Sequence, residues 1–200
     1  MRDPLRKRDI EHPGEPHAHR RDQTLGADLE ITDLAAERCV LARDSAVRAV
    51  RDAELRACDL SNGRLVDLVA ARVGVSDSKL IGLDVSGGSV RDAQIAGSVC
   101  RDLRCFATTF TRVWFERCDL RGADFDAARL HRVVFRDCDL REARFPACDL
   151  GEVDLRGSRV EGLVVDPARI RGAVIAPEQA DVFAAAIGLR VHPYDAGHDD

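Results

Sequence analysis

Residues Cys118 to Phe145 read CDLRGADFDAARLHRVVFRDCDLREARF, and in this stretch Leu120, Phe125, Leu130, Phe135, Leu140 and Phe145 fall five residues apart. An α-helix repeats every 3.6 residues and a strand every 2, so neither asks for that spacing. The series extends in both directions. Every fifth residue from Leu60 to Ile175 is apolar, 24 positions in a chain whose hydrophobic content is 45%. A run of that length is an internal repeat and not a chance of composition. Val50 and Leu55 continue it upstream, while Leu29 and Leu34 fall in another register.

A second column lies two residues before each large residue. It holds small or modest side chains, among them Cys58, Gly63, Ala93, Ser98, Cys118, Ala123, Cys138 and Cys148. Residues i and i+2 of an extended segment share a face, so the pair points inward from one short strand. The polar pair that follows then turns a corner. The sequence also repeats at 20. Cys58, Ser78, Ser98, Cys118, Cys138 and Ser158 form a column of Cys and Ser alone, and Val75, Ile95, Phe115, Phe135, Leu155 and Ile175 form an apolar one. A period of 20 spans four of these five-residue units. A leucine-rich repeat has a similar length but one strand segment per repeat, not four equivalent units.

These units, Cys118-Asp119-Leu120, Ala123-Asp124-Phe125, Cys138-Asp139-Leu140 and Cys148-Asp149-Leu150, resemble the A(D/N)Lxx unit of the pentapeptide-repeat family. The resemblance extends to actinobacterial-type members, including quinolone-resistance and gyrase-modulating ones. It covers roughly residues 53 to 175 and is looser from Leu68 to Val90, where Leu68, Val73 and Leu83 take the small position. It implies an all-β fold, a right-handed quadrilateral β-helix of about six coils, roughly 29 Å long at strand spacing. The expected organisation is a disordered tail (1–24), an irregular first coil or cap (25–52), the β-helix (53–175), a short C-terminal helix (176–191) and a disordered tail (192–200).

A β-helix exposes apolar core and unpaired strand edges at its ends. In residues 176–189, APEQADVFAAAIGL, Pro177 suits a first helical turn and Gly188 a stop. Val182, Phe183, Ala186 and Ile187 form one apolar stripe, expected to cap the last coil and to pair two copies as a homodimer.

The seven cysteines contain no C-x-x-C pair, and Cys58, Cys118, Cys138 and Cys148 occupy inward slots. They read as small hydrophobes in a reducing cytoplasm. Cys118 and Cys138 fall one coil apart, near enough for a disulfide by distance, but their side chains run parallel. His12, His17 and His19 read as solvated tail residues, and His131 is the one histidine inside the repeats, at an outward position. The N-terminal residues lack the apolar segment of a signal peptide, and no apolar run is long enough to span a bilayer. No glycine-rich phosphate loop or hydrolase motif is present, so the expectation is a protein that is not an enzyme, with no catalytic residues, cofactor or metal.

Binding is the better expectation, with a protein partner of unknown identity and no direct contact with nucleic acid or membrane. The family resemblance adds an alternative, a DNA-mimicking modulator of DNA gyrase conferring quinolone tolerance. That mechanism needs sustained negative potential. Residues 53 to 175 carry 19 acids and 19 bases, so the net charge of −5 comes from the ends. One outward column, Arg64, Asp84, Arg104, Asp124 and Arg144, alternates in sign as a ladder of ion pairs between coils would, and Arg129, Asp149 and Arg169 repeat the alternation. Arg101, Arg121 and Arg141 stack like charges, to meet an acidic partner or to be neutralised by Asp119, Asp139 and Glu142. Trp114, the sole tryptophan, Val134 and Phe106 sit at outward positions and complete the candidate partner surface. The competing account of Trp114 is packing against residues 25–50.

Overall fold

The computed structural model describes residues 10–26 and 30–191. The expected tail 192–200, residues 1–9 of the N-terminal tail, and Leu29 lie outside them. Twelve strands wind into a four-sided β-solenoid: β1 Ala18–Arg21, β2 Thr24–Leu25, β3 Glu30–Glu37, β4 Val40–Leu41, β5 Ala49–Arg56, β6 Val69–Ser76, β7 Ser89–Ala96, β8 Thr109–Glu116, β9 Arg129–Arg136, β10 Arg144–Phe145, β11 Val153–Asp154 and β12 Val164–Val165. The main sheet runs β1-β3-β5-β6-β7-β8-β9-β11, eight parallel rungs and so about seven turns, one more than the repeat count alone suggested. From β5 onward each rung pairs with the next at an offset of 20 residues, as in Val73↔Ala93 and Val113↔Val133.

The corner is a backbone device. Every fifth residue from Asp52 to Glu142 has a φ between 51° and 74°. This left-handed conformation turns the chain and aims the corner N–H at the next coil. Ala57 N donates to Ser76 O at 3.0 Å, Asp77 N to Ala96 O at 3.0 Å and Gly97 N to Glu116 O at 2.9 Å. An L-residue there pays about 1–2 kcal/mol. That cost is offset because the corner donor is answered and the side chain clears the tube. Beyond Glu142 the device is intermittent: Ala147 and Glu152 lack the left-handed φ, Gly157, Gly162 and Gly172 have it, and one interruption is forced by the sequence. Pro167 falls on a corner position, and its ring fixes φ near −65°. The chain instead forms a 3₁₀ turn, Pro167–Arg169, with the Asp166 carboxylate accepting from Ala168 N.

Inside, the predicted columns are buried. Phe115 stacks on Phe135 with centroids 5.0 Å apart, and Phe125 on Phe145 at 4.7 Å. The two stacks meet edge to face, Phe125 against Phe135 at 5.7 Å and 81°. The Cys and Ser column has a hydrogen-bonding reason. Ser78 Oγ accepts from Cys58 N at 3.0 Å and donates to Ser76 O at 2.7 Å, and Ser98 Oγ accepts from Ser78 N and donates to Ala96 O. Only a small side chain with a donor fits that slot. Toward the N-terminus the large residues shrink to Ala70, Val75, Val85 and Val90, leaving a wholly apolar cavity of about 110 Å³ along the tube. A void without polar partners stays dry.

Two ends differ from the sequence expectation. Residues 1–24 were expected to be a disordered tail. Instead Ala18–Arg21 form β1, paired with Leu34–Glu37. The first turn closes at an offset of 16 and the second at 19. The 19-residue turn is why Leu34 breaks the register. Leu34 stands opposite Ala53 in the small slot, and Ala36 opposite Leu55 at the centre. At the other end the expected helix is shorter than 176–191, a 3₁₀ turn Pro177–Gln179 leading into α1, Ala180–Ala186. Gln179 plugs the tube, its Nε2 donating to Leu155 O at 2.8 Å and Ser158 O at 2.6 Å, and Phe183 joins the core.

Candidate interaction faces

Among the described residues no cluster of three or more His, Cys, Asp or Glu is arranged to hold a metal. All seven cysteines are free and buried. Burial pushes the Cys105 thiol well above its usual range and Cys148 up to about 11, so both stay protonated at neutral pH. The chemistry of this molecule therefore lies on its outside, in charged and aromatic side chains at the two polar positions of each unit.

The alternating column forms a ladder. The ladder is one of backbone pairing, Arg64↔Asp84, Asp84↔Arg104, Arg104↔Asp124 and Asp124↔Arg144, and among these pairs only Arg104 and Asp84, 3.8 Å apart, form an ion pair. The expected second ladder does not form. Arg169 turns to Asp166 at 3.3 Å, because the 3₁₀ turn at Pro167 reorients it. The like-charged column is neutralised, as one of its two sequence readings held. Arg101 Nε donates to Asp119 at 2.6 Å, Arg121 reaches both Asp119 oxygens at 2.8 Å, and Arg141 grips Asp139 at 2.8 and 2.6 Å. Arg121, then Arg101, hold the Asp119 carboxyl far below the ordinary carboxylate range, and Arg141 does the same for Asp139. With Asp102, Gly122 and Glu142 the three arginines line a shallow groove of about 290 Å³.

Two pairs escaped the sequence reading. Arg112 Nε and Nη2 each donate to Asp92 at 2.6 Å, and Arg72 makes the same fork to Asp52. Asp92 is only 2% exposed. The signal was available: corner residues Asp52, Arg72, Asp92 and Arg112 alternate in sign at the 20-residue spacing. Without knowing that corners point from rung to rung, the alternation carries no geometry.

The aromatic candidates separate. Phe106 is 53% exposed, an uncovered ring on its side of the tube. Trp114 and Val134 are neighbours on adjacent rungs of the side formed by residues 113–116 and 133–136. They are not an open patch. Val134 is 1% exposed, packed with Ile10 at 4% and with Trp114. The sequence had offered residues 25–50 as the covering segment. The cover comes from farther upstream, since residues 30–50 are themselves strands of the solenoid. At the C-terminal cap Phe183 is buried, Val182 packs partly against the core, Ala186 is partly buried, and Ile187 is half exposed.

Residues 108–176 match the family model described as Pentapeptide repeat region. No curated protein sequence matches the chain. Similar solved structures include full-length QnrB1, a plasmid-mediated fluoroquinolone resistance protein, 13% identical over 86% of this chain and 98% of that chain, with a TM-score of 0.42. HetL, a pentapeptide repeat protein involved in heterocyst differentiation regulation from the cyanobacterium Nostoc sp. strain PCC 7120, is 12% identical over 80% of this chain and 86% of that chain, TM-score 0.26. A pentapeptide repeat protein from the Arabidopsis thaliana thylakoid lumen is 20% identical over 66% and 73%, TM-score 0.24. The matched region lies within the five-residue register that runs from Leu60 to Ile175, so over residues 108–176 the chain is similar to the pentapeptide-repeat family.

Proposed function

We propose that this protein is a non-catalytic binding module that presents flat, charge-paired β faces to another protein. The observation that carries the reading is the pairing of surface charge within the molecule. Carboxylates such as Asp52, Asp92, Asp119 and Asp139 are held by arginines of their own or the next rung. Such a surface has little long-range field. It suits short-range recognition by shape and exposed aromatic area, for which Phe106 is the uncovered anchor. The interior is filled by its own side chains or, toward the N-terminus, by a dry void, so the tube offers no polar cleft for a reaction.

Ser86 lies one rung from Phe106 on the same side, next to the bond from Gly87 N to Phe106 O. A photo-crosslinking residue in place of Ser86 is expected to capture a discrete partner in the cells that make the protein. Excess wild-type protein should compete that product away, and excess Phe106→Ala protein should not. A product that both compete equally would remove Phe106 from the interface, and no saturable product from this or the other faces would sink the reading.

A further inference from the structure

On the side of the tube that carries Trp114, the chain before β1 lies across the rungs. Ile10 is seated between Trp114 and Val134. Glu11 is within charge–charge reach of Arg72 and Arg112, and His12 of Glu54. Ile10 thus packs on side chains of β8 and β9, and the two residues after it carry charge toward β5, β6 and β8. The column beneath them reads Glu54, Gly74, Gln94, Trp114 and Val134 across successive rungs. At Gly74 the Glu54 carboxylate folds into the space that a methyl group would take.

The fit is incomplete. Trp114 Nε1 is buried and has no hydrogen-bond partner among the described residues. An indole N–H taken out of water without an acceptor is a standing penalty. Burial of one isoleucine is comparable with the entropy lost in ordering a few backbone residues, so Ile10 alone holds the segment weakly. A surface that buries an aliphatic side chain, presents arginines beside it and leaves a donor unanswered suits an extended peptide better matched than the one it holds.

We propose that this face is a docking groove for an extended peptide segment of a partner protein, and that residues 10–12 occupy it as an intramolecular stand-in. The occupant is an aliphatic residue in the Ile10 position, followed by a carboxylate facing Arg72 and Arg112, with a main-chain carbonyl over the Trp114 N–H. Displacing the chain's own segment uncovers Trp114 and Val134. The proposal rests on the binding-module reading, but its test needs no cellular partner.

Trp114 is the sole tryptophan, so its fluorescence reports on the groove directly. In the full-length protein, Ile10→Asp is expected to shift the emission to longer wavelength and to raise quenching by acrylamide. Residue 10 lies outside every strand, so thermal unfolding should be unchanged, and Ile10→Ser serves as the second variant should the aspartate perturb folding. A synthetic peptide covering residues 8–16 should then reverse the shift saturably, whereas the same peptide with aspartate for isoleucine should not. Emission and quenching unchanged in both variants would show that the segment does not cover Trp114 and would overturn the proposal. A shift that the peptide fails to reverse would overturn the groove. Failure here with the Phe106-dependent crosslink intact places binding on the Phe106 side alone, whereas loss of the crosslink leaves this assay unaffected.

Discussion

Asp92 sits at an outward corner, yet it is as inaccessible as a core residue, and its only charged partner in the fork is Arg112. Two parallel N–H···O bonds fix the guanidinium flat against the corner, a geometry that lysine does not reproduce. Removing the carboxylate leaves Arg112, whose side chain is 28% exposed, without an acceptor. Asp92→Ala should therefore cost about 1–3 kcal/mol in urea unfolding, the penalty for stranding a half-buried charged donor. Arg104→Ala breaks a pair 3.8 Å long between more exposed groups and should cost less than about 1 kcal/mol. Equal losses at the two sites would mean that burial does not set the strength of these ladders. The difference was not visible in the sequence, where both columns alternate Arg and Asp in the same way.

The coil shows which parts of an element a sequence can announce. The five-residue apolar series and the Cys–Ser column were legible because each inward slot admits few side-chain types. The corners were not legible, because a left-handed residue can be Asp52, Ala107, Arg112 or Glu142 as long as its N–H reaches the next rung. Proline cannot adopt that φ, so at Pro167 the turn type changes. The first coils were hidden by a one-residue deletion in the repeat, which exchanges the large and small slots at Leu34 and Ala36. The Ile10 segment was hidden too, because a single apolar residue in a polar stretch carries no period. If corner chirality stores strain, replacing alanine by glycine at Ala107 (φ 55°) or Ala127 (φ 55°) should relieve it. Either change should stabilise the fold by up to about 1 kcal/mol, the left-handed penalty less the added entropy of the unfolded glycine. A loss of stability at both would show that the corners are not strained.

Across the whole molecule, stability and function follow from the same quasi-one-dimensional design. Each coil contacts only its neighbours, so the rod is stabilised rung by rung and closed at one end by Gln179 and Phe183. Charges are distributed in the same way, paired within a rung or between adjacent rungs, and residues 53–175 sum to zero. A rod that imitates duplex DNA needs one acidic face with uncompensated charge. Here Asp119 and Asp139, two acids on adjacent rungs of one column, are both occupied by arginines. The proposed partner surfaces are aromatic and local, Phe106 on one side and the covered Trp114 face on another.

The central claim is that this charge-balanced rod binds protein by local contact and does not stand in for nucleic acid. A DNA gyrase supercoiling assay with the purified protein, run with and without a fluoroquinolone, tests it most directly. The account predicts unchanged supercoiling and unchanged drug inhibition across the whole concentration range. Concentration-dependent inhibition of supercoiling, or protection of gyrase from the drug, would contradict it.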